Sequence, residues 1–262
     1  MKKIILSLAL LLLAATTASA VELKSEGRNP EYVASIVARS KKVVDKLALQ
    51  DAAVAEEVTK IVANRYFELN DIYEARDKGM AEIKAHADLP EEYRTLAKNY
   101  VNYECDSKLY RSHFAFPATL GMYLTKEQVT QVIDGMTYGV VGVTYKAQTD
   151  MIPSLTEEEK LQIMAWLEEA RELAVDAESS NKKHGVFGKY KGRINNYLSK
   201  RGYDLKAERE GWYKRIEAEK ANLDSMKVNH TISPLEDTSK IAKARRDIAR
   251  MMTILAEKES QN

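Results

Sequence analysis

Apolar residues recur every three or four positions along most of the chain, which is the spacing of one buried helix face. The pattern predicts a first helix over residues 31–46 and a longer second one from Asp51, which can cap it, to about Lys78. A third helix is predicted over residues 88–114, with Pro90 in its first turn, where proline is tolerated because no intrahelical N–H is needed. The pattern therefore predicts an all-α fold of six or seven helices.

Capping boxes mark the start of two more predicted helices. Thr125 is followed three positions later by Gln128, and Thr156 by Glu159. In this motif the two side chains satisfy two backbone N–H groups that have no partner within the helix.

Two segments break the helical spacing. Residues 137–153 are rich in β-branched side chains and contain glycines, so they predict a loop or a short hairpin. Residues 181–192 hold three of the chain's 11 glycines and predict an ordered loop before another helix. We therefore expect an irregular helical domain with two longer loops.

The C-terminal region predicts an antiparallel αα-hairpin over residues 204–258. Its first helix ends before Pro234, and Asp237 or Thr238 can cap the second. The apolar stripe of the second helix recurs at spacings of three and four: Ile241, Ala244, Ile248, Met251 and Leu255.

The N-terminus has the pattern of a secretory signal peptide. Lys2 and Lys3 precede an apolar run over residues 4–15, and residues 18–20 form a small-residue cleavage site. An uncleaved membrane anchor is the alternative, but the run is shorter than the roughly 20 residues that a span needs. We therefore expect cleavage after Ala20 and export to the periplasm or the extracellular space, with an exported helical domain over residues 21–203.

Composition and charge add two constraints. The chain has 262 residues, of which 45% are hydrophobic and 30% charged, which supports one sizeable core or two small ones. The single cysteine, Cys105, allows no internal disulfide, and a buried, inert thiol is favoured over a nucleophile. Residues 238–262 hold six basic and three acidic residues, so the tail is the part suited to face a polyanion.

The chain has no recognisable catalytic motif. It contains no nucleophile elbow, phosphate loop, zinc motif or dinucleotide fingerprint, and its four histidines are at no metal-ligand spacing. We therefore expect a non-enzymatic protein without a cofactor or a metal site. An unrecognised hydrolase is an alternative, because catalytic carboxylates meet in space and not in sequence.

Aromatic, amide and basic residues alternate over residues 184–203. Rings of this kind stack on sugars or bases, while amides and cations hydrogen-bond hydroxyls or phosphates. The alternative is that the tyrosines pack inside and the cations are solvated. The candidate ligand-binding residues are Tyr190, Arg193, Asn195, Asn196 and Tyr197.

Two stretches resemble a family of exported bacterial proteins classed as a domain of unknown function. They read DGMTYGVVGVTYKAQTDMIPSLTEEEKLQIMAWLEEARELA and FGKYKGRINNYLSKRGYDLKAEREGW. The resemblance runs from about Val43 to about Lys220. It implies carbohydrate binding, and it assigns no functional residue.

The hairpin resembles large-subunit ribosomal protein twenty-nine from Arg215 to Glu259. The most specific parts are NHTISPLEDTSKI and ARRDIARM, the second of which carries the family's basic pair. The resemblance implies a two-helix protein bound to large-subunit ribosomal RNA near the peptide exit tunnel. By that likeness the phosphate-contacting residues are Lys240, Lys243, Arg245, Arg246 and Arg250. Such contacts give affinity and salt dependence rather than base specificity.

Three hypotheses follow from these patterns. In the first, the protein is an exported helical glycan-binding module whose ribosomal-type tail only packs as a hairpin. In the second, the tail works on the ribosome in the cytoplasm and the N-terminal region is a fused passenger. In the third, the helical domain is an unrecognised hydrolase.

Overall fold

A computed structural model describes residues 21–232 and 239–259. Within these two ranges the chain forms ten α-helices, one short 3-10 helix over Asp45–Leu47 and no strand. The helices are α1 (Pro30–Val44), α2 (Ala52–Ala85), α3 (Glu91–His113), α4 (Ala115–Leu120), α5 (Lys126–Met136), α6 (Val140–Met151), α7 (Glu157–Val175), α8 (Ser180–Lys200), α9 (Leu205–Ile232) and α10 (Ser239–Glu259). The all-α prediction is confirmed, but the expected six or seven helices were too few.

The chain divides into two compact units, one up to residue 132 and one from residue 133 onward. The predicted signal peptide, residues 1–20, lies outside the described residues. None of the helices that the structure describes is both long enough and apolar enough to cross a membrane.

Unit 1 is built on the 34-residue helix α2, which packs against α1, α3 and α4. Its predicted cap is confirmed, since the Asp51 side chain accepts hydrogen bonds from the backbone N–H of Ala53 (2.8 Å) and Val54 (3.3 Å). Phe67 is fully buried at the centre of the α1–α2 contact. Cys105 of α3 is buried, as the sequence indicated.

The segment before α1 lies along α2. The backbone N–H of Lys24 donates to Asn64 Oδ1 (2.8 Å), whose Nδ2 donates back to the Glu22 carbonyl (2.8 Å). Arg28 forms a bidentate pair with Asp71, at 2.8 and 2.6 Å. These contacts order the chain directly after the predicted cleavage point.

Unit 2 has a core formed by α6, α7, α8 and the start of α9. α6 contacts α7, and α9 contacts α6 and α8. Buried side chains from all four helices meet there, including Met151, Leu167, Ile194 and Trp212. Both predicted capping boxes are present, at Thr125 with Gln128 before α5 and at Thr156 with Glu159 before α7.

The loop predicted over residues 137–153 is wrong, because most of it is helix α6. The helix begins after Tyr138 and Gly139, which both have a left-handed backbone with φ of 63° and 68°. Its buried residues include Val140, Thr144 and Met151, which recur with helical spacing. β-Branched residues cost a few tenths of a kcal/mol in a helix, whereas burying an aliphatic side chain contributes about 1.5–3 kcal/mol. Burial therefore overrides the local preference.

The loop predicted over residues 181–192 is also wrong, because this segment is the first half of α8. Ser179 caps the helix by accepting from the Lys182 backbone N–H (3.3 Å). Each interior glycine costs about 1 kcal/mol relative to alanine, and a Cβ at any of the three would meet only open space. The burial of Phe187, Ile194 and Leu198 on the other face offsets that cost.

The side chain of Lys183 anchors the first turn of α8 to the ends of two other helices. Its side chain is buried, and Nζ donates to the carbonyls of Met136 (3.0 Å) and Val175 (3.2 Å). These carbonyls end α5 and α7, where backbone acceptors lack an intrahelical partner and a cation is favoured. One ammonium group thus caps two helix C-termini.

The C-terminal helix α10 contacts α9 and α6. Ile248 is buried and Met251 packs against the core of unit 2. Residues 233–238, which include the predicted helix stop and caps, lie outside the described residues. The antiparallel hairpin therefore stays a prediction, while the contact between its two helices is observed.

Candidate functional site

The first candidate site is the exposed side of α10. Lys240, Lys243, Arg245 and Arg246 are exposed, whereas Ile248 is only 8% exposed. The side chains of Arg250 and Leu255 lie outside the described part of the helix. The cations that are described therefore face solvent on the same helix whose apolar residues pack inward.

These four cations fall into two sets. Lys240 and Lys243 line a cleft of about 660 Å³ formed by α6, α9 and α10, whereas Arg245 and Arg246 lie outside it. The cleft also holds acidic residues, among them Asp247. Arg246 donates from Nε to the Ala242 carbonyl of its own helix (3.3 Å).

Arg215 joins α9 to α6 at the floor of the cleft. Its Nη2 donates to the carbonyls of Asp150 and Met151, both at 2.9 Å. These carbonyls lie at the C-terminus of α6, where they lack an intrahelical donor. The guanidinium supplies that donor and places a positive charge at the negative end of the helix dipole. Sequence reasoning missed this role because it expected no helix end at this point.

The second candidate site is a cluster of rings and charges between α7 and α8. Tyr190, Arg193 and Tyr197 are spaced three and four apart and share one face of α8. The Arg193 guanidinium lies 4.6 Å from the Trp166 ring centroid, and Tyr197 meets the same ring edge-to-face at 5.1 Å. Trp166, on α7, is the residue that sequence reasoning missed.

Glu169 completes this cluster. Arg193 pairs with it at 3.4 Å, with both side chains about half exposed. Burial raises the pKa of Tyr190, and a hydrogen bond to Glu169 raises it further. Trp166 therefore has Arg193 and Tyr197 as partners, and Tyr190 lies 5.9 Å from the Arg193 guanidinium and hydrogen-bonds to Glu169.

The other two predicted ligand residues lie elsewhere. Asn195 Oδ1 accepts from Gln148 Nε2 at 3.4 Å, which ties α8 to α6. Asn196 is exposed. In a loop all five residues could converge, but consecutive residues of a helix point about 100° apart. The structure thus brings together three of the five.

A buried carboxylate extends the cluster toward the start of α7. Glu159 is 2% exposed and accepts from Arg201 Nε (2.9 Å), the Tyr203 hydroxyl (2.7 Å) and the Thr156 backbone N–H (2.9 Å). Burial opposes ionisation of the carboxyl, but these hydrogen bonds outweigh it and lower its pKa to about 2. Arg201 in turn lies 5.8 Å from the Tyr197 ring centroid.

The structure describes residues 21–232 and 239–259. No group of three or more histidine, cysteine, aspartate or glutamate side chains in those ranges could hold a metal ion.

Two family profiles match the chain. The family described as "Protein of unknown function (DUF3826)" matches residues 33–218, and the family described as "Ribosomal L29 protein" matches residues 208–258. The two matches overlap at the start of α9.

Curated relatives match the tail. The large ribosomal subunit protein uL29 of Bacteroides thetaiotaomicron is 52% identical over 48 residues, which are 18% of this chain and 74% of that protein. Its counterpart from Bacteroides fragilis is 50% identical over 48 residues, which are again 18% of this chain and 74% of that protein. The uL29 of Porphyromonas gingivalis is 44% identical over 45 residues, which are 17% of this chain and 70% of that protein.

Proposed function

This chain belongs to the DUF3826 family of proteins of unknown function and carries a C-terminal segment of the ribosomal L29 family, from which we propose that its helix α10 binds ribosomal RNA. The relatives of the segment are proteins of the large ribosomal subunit. Large-subunit ribosomal RNA is therefore the proposed partner.

The separation of charge and apolar surface on α10 is the observation that carries this proposal. Ile248 and Met251 pack inward, so contact with a large partner through Arg245 and Arg246 leaves the core intact. Cations on an exposed helix face bind phosphates by releasing counterions. Lys240 and Lys243 extend the same surface into the cleft.

Replacing Arg245 and Arg246 by alanine is expected to weaken RNA binding without unfolding the protein, because both side chains are exposed. Each lost phosphate contact lowers the slope of log affinity against log salt by about 0.9. The pair should therefore lower the slope by roughly two and the affinity on the order of 50-fold at 0.1 M salt. Filter binding of the full chain to large-subunit ribosomal RNA, titrated with salt, measures both.

The matched control is Lys189→Ala with Lys200→Ala, which removes the same net charge from exposed positions on α8. The control is expected to keep the wild-type slope within a few tenths. If the control weakens binding as much as the α10 variant, or if the wild type has no affinity for RNA at low salt, the cations of α10 are exposed to solvent but do not form an RNA-binding surface.

An exported binding module is the second candidate function, and the contact between Val21 and Glu57 favours it. The Val21 backbone nitrogen donates to the Glu57 carboxylate, and this bond is the largest cause that lowers the pKa of that carboxyl. Cleavage after Ala20 would turn this nitrogen into an ammonium group. Hydrogen bonds between two charged groups are stronger than bonds to a neutral amide, so the cleaved chain would hold its new terminus on α2.

For this exported form we propose a glycan as the ligand and the α7–α8 cluster as its site. Tyr190→Ala with Tyr197→Ala is expected to weaken binding on a glycan array by roughly fivefold per lost ring, from stacking worth about 1 kcal/mol each. Tyr138→Ala, an exposed tyrosine outside the cluster, is the control. If the double variant loses cooperative unfolding, the rings serve the core and the glycan site is wrong.

Localisation of the full-length native protein distinguishes the two proposals. Recovery with large ribosomal subunits supports RNA binding. An exported chain whose first residue is Val21, as determined by mass spectrometry, supports the exported binding module. Both describe a binding protein without enzymatic activity, so turnover of a glycan by the purified protein would favour a hydrolase instead.

A further inference from the structure

One face of α3 in unit 1 carries a row of large exposed side chains. Their exposed fractions lie between 59% and 73%. They are Tyr93, Leu96, Tyr100, Tyr103 and Tyr110 of the helix, together with Phe114, which is its C-terminal cap residue. When Ser107 is included, successive members of the row are alternately three and four residues apart. This spacing is the seven-residue repeat of a coiled-coil seam.

The opposite face of α3 is already used inside unit 1. Cys105 is buried there, and Val101 packs so closely on α2 that a Cβ built on Gly79 would lie 3.1 Å from it. The exposed row is therefore separate from the packing of α3 on α2. At its N-terminal end the row borders a groove of about 720 Å³ that includes Ile83 and Leu89.

We propose that this row, the α3 seam, is the interface of a homodimer in which the α3 helices of two copies pack antiparallel. A seven-residue repeat sustained over the length of a helix is the pattern by which one helix packs on another of the same pitch. A second copy of α3 presents the same pitch and length. Its rings supply knobs for the holes between the rings of the first.

The charges at the two ends of α3 select the antiparallel arrangement. The first turn is acidic, with Glu91 and Glu92, and the last turn is basic, with Arg111 and His113. Antiparallel packing brings the acidic end of one copy to the basic end of the other and opposes the two helix dipoles. Parallel packing would place like charges side by side.

The area of the seam suits a stable dimer. Fully burying an aromatic side chain removes about 150–250 Å² from water, and these rings are about two-thirds exposed. Six side chains from each copy would bury on the order of 1,300 Å² in total, which lies within the roughly 1,200–2,000 Å² of specific interfaces.

Analytical ultracentrifugation of the full chain tests the proposal. The wild type is expected to dimerise, and Tyr100→Glu with Tyr103→Glu to raise the dimer dissociation constant on the order of 100-fold or more, because charges would enter the apolar seam. Leu161→Glu with Leu173→Glu, two exposed leucines of α7 in unit 2, is the matched control and should leave the dimer intact. Circular dichroism melts show that each variant folds.

Three outcomes would overturn the proposal: a monomeric wild type across the concentration range, equal loss in both variant pairs, or a monomer that co-sediments with phosphatidylcholine vesicles through Tyr100 and Tyr103. Orientation is tested by mixing a Tyr93→Cys chain with a Tyr110→Cys chain under oxidation. Mixed disulfides are expected, since antiparallel packing brings these positions together. Disulfides between two copies of the same variant would show parallel packing and overturn the antiparallel arrangement.

Discussion

Replacing Trp212 by alanine is expected to destabilise unit 2 by about 3–5 kcal/mol, the usual cost of deleting a large buried ring. Trp212 is 1% exposed, belongs to the core that α6, α7, α8 and α9 share, and also lines the cleft under α10. The substitution therefore removes contacts from the core and part of the wall of the cleft. Urea denaturation followed by circular dichroism gives the loss as a shift of the transition assigned to unit 2.

The control is Leu161→Ala, an exposed leucine of α7, which should change the free energy of unfolding by no more than about 0.5 kcal/mol. A cost below about 1 kcal/mol for Trp212→Ala would show that the ring is not part of the core.

Replacing Trp212 is also expected to affect RNA binding. The residue lies within 208–218, which both family profiles match. The ribosomal-type segment is therefore not a separate appendage, since its first helix supplies core side chains to unit 2. We expect Trp212→Ala to reduce the RNA affinity of α10 as well, because α10 packs on α9 and α6.

Replacing Glu159 by glutamine is expected to destabilise unit 2 by at most about 3 kcal/mol at pH 7, the equivalent of a pKa lowered from 4.5 to about 2. Arg201, one of its partners, is 41% exposed, so screening by solvent reduces the effect. Because the folded pKa is the lower one, the contribution is fully present above pH 4.5 and is lost as the pH falls through about 2. Thermal melts from pH 7 to pH 2 should show the two proteins converging.

Glu157→Gln is the matched control for this substitution. Glu157 lies in the same first turn of α7, but its side chain is 86% exposed and pairs with Lys160. The control should therefore stay close to the wild type across the pH range. A difference between wild type and Glu159→Gln that persisted at pH 2 would attribute the loss to altered packing and not to the charge.

Local features of the sequence were sufficient to predict the starts of three helices. Asp51, Thr125 and Thr156 cap the helices that they were predicted to cap, because a capping side chain reaches only two or three residues along its own chain. The burial of Ile248 and the exposure of Arg245 likewise follow from the positions of the two residues along α10. Such features need no knowledge of distant residues.

The sequence by itself thus determined the helical class, the caps and the division of α10 into apolar and charged sides. Tertiary structure alone decided that residues 140–151 and 180–200 are helical, since buried side chains such as Met151 and Phe187 outweigh β-branched and glycine preferences there. It also decided the partners of the candidate sites. Trp166 joins Arg193, and Arg215 joins the end of α6, across separations in sequence that no local pattern spans.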